Sequence, residues 1–186
     1  AIRALRVIRG RVSGPRLTEA MEIELPDPEA QLAFGEALAR LLPPRLVIYL
    51  EGEPGTGKTT LVRGILRGLG HAGPVRSPTY TLIEPYELPA ARVYHLDLHR
   101  LSAPEELEYL GLRDLSGEDA ILLVEWPERG SGTLPPADLT IRIRYQTEGR
   151  HLTLTAMTPE GGTLVRSIDA SRPLSGEPGT EQSGAP

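Results

Sequence analysis

Nineteen of the 20 cationic side chains are arginine and one is lysine, Lys58. That lysine is embedded in Gly52-Glu53-Pro54-Gly55-Thr56-Gly57-Lys58-Thr59, which fits the spacing G-x-x-x-x-G-K-[ST] at every fixed position. Small residues let such a loop curl until successive N–H groups point inward, and a helix opening directly after it adds partial positive charge. The expected product is an anion cradle built from Glu53, Pro54, Gly55, Thr56, Gly57, Lys58, Thr59 and Thr60. In that cradle an ammonium reaches along the β- and γ-phosphates of a nucleoside triphosphate, and the Thr59 hydroxyl is placed to coordinate Mg2+. Arginine's broad planar fork suits so narrow a position poorly, which gives the solitary lysine a chemical reason.

A phosphate loop also needs a carboxylate on the metal side, usually at the end of a buried strand. Glu125 ends the apolar run Ala120-Ile121-Leu122-Leu123-Val124 and is expected to emerge at the carboxyl edge of a sheet, where ligands of open α/β folds bind. Asp97 lies in Val93-Tyr94-His95-Leu96-Asp97-Leu98-His99, where alternation puts His95, Asp97 and His99 on one strand face. Such a trio can hold a transition metal. Side chains at i, i+2 and i+4 of a strand diverge, however, and no fourth ligand is evident, so the favoured role for Asp97 is at the phosphate site. Ser77-Pro78-Thr79-Tyr80-Thr81 falls where phosphate-loop proteins carry a γ-phosphate-sensing segment, although Ser-Pro-Thr also reads as an ordinary turn. Trp126, the only tryptophan, follows Glu125 and serves either as a buried anchor or as a contact to a base or a partner.

These residues need elements to hold them. Asp27-Pro28-Glu29 supplies an N-cap, a proline at the first helical position and an early acid, so a helix is expected from about 28 to 42, stopped by Pro43-Pro44. Leu46 to Leu50 reads as a strand buried on both faces, and Leu61, Ile65, Leu66 and Leu69 recur with helical spacing from Lys58 to Leu69 before Gly70. Further strands are expected near Tyr80 to Ile83, Val93 to Leu98 and Ala120 to Glu125, with a short helix at 104–110. Leu139 to Tyr145 and His151 to Met157 alternate aliphatic and polar residues around a turn-like Gln146 to Gly149, the pattern of an antiparallel hairpin at a sheet edge. The expected fold class is α/β, a mostly parallel central sheet flanked by helices with antiparallel C-terminal edge strands.

The chain has 186 residues, the span of a single domain. It contains no cysteine, which excludes disulfides, thiolate metal sites and a cysteine nucleophile. No apolar run approaches the ~18 residues of a membrane span, and no secretory segment opens the chain, so a soluble, cytoplasmic protein is expected. Residues 1–20 carry five arginines against one acid, Glu19, a net +4 that leaves −9 for the rest of a chain whose total is −5. This leader reads as disordered or artefactual, the body as residues 21–170, and Ser171 to Pro186, rich in Pro, Gly, Ser and Glu, as a disordered tail. An acidic body with few aromatics argues against direct reading of RNA or DNA.

The runs GEPGTGKTTLVRG at 52–64, SPTYTL at 77–82, HLDLHRL at 95–101, EELEYLG at 105–111 and LVEWPE at 123–128 together resemble the bacterial TsaE family, in the family's order and over roughly residues 22–158. The resemblance implies an ATPase, weak by itself, that assists threonylcarbamoylation of the adenosine next to the anticodon in tRNAs reading codons that begin with A. It implies action with TsaB and TsaD; given the acidic body, contact with tRNA is expected to be indirect, through these partners, or to come through the arginine-rich leader. It further implies that Thr59 and Glu125 ligate Mg2+, that Asp97 is needed for hydrolysis, that Ser77 to Thr81 respond to nucleotide and partner, and that Asp27 lies near the nucleotide base. Lys58, Asp97 and Glu125 are therefore the expected catalytic residues. The leader and the tail have no counterpart in the family, and His99 stands where it often has tyrosine.

Two other functions fit a phosphate loop. A small-molecule or nucleoside kinase would need an acceptor pocket and usually an arginine-bearing lid, and no lid-like insertion is seen. A non-hydrolysing adaptor would use ATP binding alone to set its affinity for a partner. No built-in arginine finger stands out among Arg76, Arg100 and Arg129, which is why slow turnover in isolation is expected.

Overall fold

A computed structural model describes residues 19–111 and 119–171; the leader up to residue 18 and the tail from residue 172 lie outside the described residues. Seven strands form one sheet in the order β1-β7-β6-β2-β5-β4-β3. They are β1 (Ala20–Leu25), β2 (Leu46–Glu51), β3 (Ile83–Glu87), β4 (Arg92–Asp97), β5 (Ala120–Glu125), β6 (Leu139–Tyr145) and β7 (Arg150–Ala156). The helices are α1 (Pro28–Ala39), α2 (Lys58–Gly68), α3 (Glu106–Tyr109) and α4 (Pro159–Ala170), with a 3-10 turn at Pro127–Gly130. Strands β6, β2, β5 and β4 are mutually parallel. Antiparallel pairs close both flanks, β3 on β4 and β7 and β1 beyond β6. The fold class is the α/β arrangement expected, with a parallel centre and an antiparallel C-terminal hairpin.

Strand β1 is an addition to the sequence reading. Met21, Ile23 and Leu25 alternate with acids, point into the core and pair with β7 from Ala20↔Thr155 to Leu25↔Arg150. Ala20 and Glu19, assigned by composition to the leader, thus belong to the fold, and Arg166 of α4 donates to the Glu19 carboxylate. Helix α4 is a second addition. Thr158 caps it by accepting from the Gly161 N–H at 3.2 Å, and Pro159 occupies its first turn, the same device as Asp27-Pro28 at α1. Its Gly161-Gly162 pair disguises the helix in the sequence, but a Cβ at Gly161 would lie 1.9 Å from the Asp138 carbonyl oxygen.

Helix α1 stops at Ala39 rather than 42. Leu41 and Leu42 continue as a tightened turn, donating to Leu38 O and Ala39 O, because Pro43 disfavours helical backbone in the residue before it. Strand β3 begins at Ile83, three residues later than expected. Ser77 and Thr79 turn their hydroxyls onto Asp97, and Leu82 adopts φ 64° while donating to Pro78 O, so the segment runs as a turn until Ile83. Pro85 is accommodated because β3 is an edge strand.

The main core joins α1, α2 and α4 to one set of strand positions, with Phe34, Leu38, Leu61, Ile65, Leu66, Leu164 and Ile168 buried among them. A smaller core of Leu96, Leu98, Leu122 and Val124 packs with Leu107 of α3. Helices α1 and α2 approach through glycines. A Cβ at Gly64 would meet Leu32 O at 2.3 Å, and one at Gly35 would meet Leu61 O at 2.7 Å. Gly64→Ala is expected to destabilise the fold by about 1–3 kcal/mol, the range for overpacking, seen as a fall in thermal midpoint of several degrees. An unchanged midpoint would show that the helices can separate without loss.

Candidate nucleotide-phosphate site

The site sits where β2 ends and α2 begins. Two glycines in this loop are required: a Cβ at Gly52 (φ 145°) would lie 2.3 Å from Ile143 O, and Gly57 adopts left-handed backbone at φ 99°. Every carbonyl from Gly52 to Gly57 is held by a named donor. Lys58 Nζ donates to Gly52 O at 2.7 Å and Glu53 O at 3.0 Å, and Tyr145 Oη donates to Pro54 O at 2.8 Å. Arg150 donates to Gly55 O at 3.4 Å and Thr56 O at 3.1 Å, while Gln31 Nε2 reaches Thr56 O at 3.4 Å and Gly57 O at 3.0 Å. With its carbonyls engaged, the loop has its amide groups to offer an anion.

Lys58 is buried, and its Nζ lies 3.9 Å from the centre of the Trp126 ring. Burial pushes its ammonium below the ordinary lysine range, while the carboxylates of Glu125, Asp97 and Glu128 pull it back up. Trp126 carries left-handed backbone (φ 59°, ψ 50°), a costly conformation for a bulky residue, and its ring lies 4.8 Å from that of His99.

Alternation along β4 and β5 brings the acids together on the α2 side of the sheet, in the register Asp97↔Glu125. Glu125 is buried and accepts from Thr59 Oγ1 at 2.9 Å on Oε1 and 3.1 Å on Oε2. Its Oε1 also lies 2.8 Å from His95 Nε2. Asp97 Oδ2 accepts from Ser77 Oγ and from Thr79 Oγ1 at 2.8 Å, and its Oδ1 takes the His99 N–H at 3.0 Å. The histidines therefore do not join Asp97 in a metal trio: His95 turns to Glu125, and His99 lies past the strand end against Trp126. Among the described residues no group of three or more His, Asp or Glu side chains is placed to hold a metal ion by itself.

A cleft of about 330 Å³ runs along the loop, lined by Pro54, Gly55, Gly57, Lys58, Thr59, Thr60, His99, Glu125 and Trp126. Arg76, Arg100 and Arg129 are exposed and do not line it; Arg100 lies 4.4 Å over the Tyr80 ring. Asp27 caps α1 by accepting from Ala30 N at 2.7 Å and is likewise not part of the cleft wall. Gln31, Tyr145 and Arg150 escaped the sequence reading. Each reaches the site from a distant segment, so no local motif marks them.

The chain has relatives among known proteins. The sequence model of the family described as threonylcarbamoyl adenosine biosynthesis protein TsaE matches residues 25–152. The chain belongs to the TsaE family. It is 43% identical over 155 residues to the tRNA threonylcarbamoyladenosine biosynthesis protein TsaE of Haemophilus influenzae, covering 81% of this chain and 98% of that protein. It is 36% identical to the TsaE protein of Bacillus subtilis, over 70% of this chain and 82% of that one. The crystal structure of Bacillus subtilis YdiB superposes with a TM-score of 0.73 at 28% identity, covering 83% of this chain and 97% of that one. Those relatives are named for tRNA threonylcarbamoyladenosine biosynthesis. No helix among the described residues is long and apolar enough to cross a membrane.

Proposed function

We propose that the chain is an Mg2+-dependent ATPase of tRNA threonylcarbamoyladenosine formation, acting in the cytoplasm with TsaB and TsaD and engaging tRNA indirectly. The observation that carries this reading is the Thr59 hydroxyl held 2.9 Å from the Glu125 carboxylate at the mouth of the phosphate loop. Both are hard oxygen donors, the class Mg2+ takes from proteins in ones and twos, with water and phosphate supplying the rest of its shell. When bound there, Mg2+ neutralises charge on the β- and γ-phosphates.

The chain's own residues supply the remainder. Loop amides bind the phosphates, and Lys58 leaves the carbonyls of Gly52 and Glu53 to reach them; phosphate charge offsets the burial that weakens its hold on a proton. Asp97, fixed by Ser77, Thr79 and the His99 N–H, serves hydrolysis through a water, either in the metal's shell or the attacking one. Among the described residues the only lysine or arginine lining the cleft is Lys58, which supports slow turnover until a partner completes the site. Hydrolysis by the purified chain is expected to require Mg2+, to be slow alone and to rise when TsaB and TsaD are added. A rate unaffected by the partners, or by chelation of Mg2+, would overturn the proposal.

A further inference from the structure

His95 is fully buried on β4, between Glu84 of β3 and Leu123 of β5 in the strand register. Its Nε2 lies 2.8 Å from Glu125 Oε1, and its Nδ1 is buried with no hydrogen-bond partner. All of the ring's polar interaction is thus directed at one carboxylate oxygen. The tautomer with hydrogen on Nε2 donates to Oε1 and leaves Nδ1 as a bare lone pair. A residue needed only to fill this space would be apolar, like Val93 and Leu123 around it, because a buried unpartnered ring nitrogen is unfavourable.

We propose that His95 is a positioning residue that fixes the Glu125 carboxylate for Mg2+, an inference that rests on the reading of Thr59 and Glu125 as metal-side groups. With Oε1 held by both His95 and Thr59, the carboxylate cannot rotate without breaking two hydrogen bonds. Oε2, whose only hydrogen bond is the longer 3.1 Å contact to Thr59, is the oxygen left to the cleft. His95 does not line the cleft, and its hydrogen bond among the described residues is to Glu125, so it acts through that carboxylate.

Two variants separate positioning from packing. His95→Leu removes the donor, whereas His95→Gln can carry an amide N–H to the place of Nε2. The readout is the Mg2+ midpoint for ADP binding, followed by emission of Trp126, which borders the cleft and is the only tryptophan. The midpoint is expected to rise about 10- to 100-fold in His95→Leu and to return most of the way in His95→Gln, the range for a residue that supports a metal ligand. ADP affinity measured in chelator should stay the same in both. His95→Met, a second donorless replacement, serves where the leucine variant does not fold. A donorless variant with a wild-type midpoint, or a glutamine variant as impaired as the leucine one, would overturn the inference while leaving the metal site standing. A wild-type chain whose ADP binding ignores Mg2+ would instead overturn the reading of Thr59 and Glu125, and the inference with it.

Discussion

Lys58→Arg keeps the positive charge and is nevertheless expected to lower ATP turnover by about 10²- to 10³-fold, the loss typical of removing one preorganised charge-stabilising donor. The reason is shape. The Lys58 ammonium fits between two carbonyl oxygens at 2.7 and 3.0 Å with the Trp126 ring 3.9 Å away, in a buried space that a compact charge on a flexible stem can enter and leave. A guanidinium is planar, carries five N–H groups in a rigid fork, and would have to displace the indole or the loop carbonyls. ATP affinity should fall as well, because a guanidinium forced into this space displaces the loop that carries the phosphate-binding amides. The comparison is a steady-state assay alongside equilibrium ATP binding for the two proteins. Normal hydrolysis by the variant would make the solitary lysine a compositional accident.

What the sequence shows plainly is what is local. The phosphate loop, the strand before it and the helix after it are contiguous, so spacing alone sets Lys58 and Thr59 in place. Glu125 is legible for a similar reason: five aliphatic residues predict a buried strand, and an acid at its end has to surface at the sheet edge. The residues that finish the site are brought by the fold. Gln31 comes from α1, Tyr145 and Arg150 from either side of the β6–β7 turn, and their bonds to the loop span 25 to 95 residues of sequence. Strand β1 was hidden by the arginine-rich segment before it, though Met21-Glu22-Ile23-Glu24-Leu25 alternates as a half-buried strand should. The shift of β3 has a chemical cause: Ser77 and Thr79 prefer the Asp97 carboxylate to a sheet ladder, the competition expected of short hydroxyl side chains. His95 shows the limit of periodicity. Alternation placed it on the correct face beside Asp97, but only the parallel register of β4 on β5 turns that face position into a contact with Glu125.

Glu125→Gln is the second large effect, and it decides between a hydrolysing enzyme and an adaptor that senses nucleotide. The substitution preserves volume. The amide oxygen can still accept from His95 Nε2, and the amide nitrogen can face the Thr59 hydroxyl, so neither neighbour is left buried without a partner, as an alanine would leave them. The folded state should therefore persist with nearly the wild-type thermal midpoint. One negative charge beside Lys58 and the phosphates disappears. Removing that carboxylate relieves repulsion toward the anionic nucleotide while weakening the hold on Mg2+, so at saturating Mg2+ ATP should still bind about as well as before. Turnover should drop by about 100-fold or more, because the carboxylate's share in holding Mg2+ on the phosphoryl group in transfer is lost. A variant that binds ATP, fails to hydrolyse it and no longer supports tRNA threonylcarbamoylation with TsaB and TsaD is the result expected of an enzyme whose cycle needs hydrolysis. Full tRNA modification by that same non-hydrolysing variant would make ATP binding the signal and the chain an adaptor.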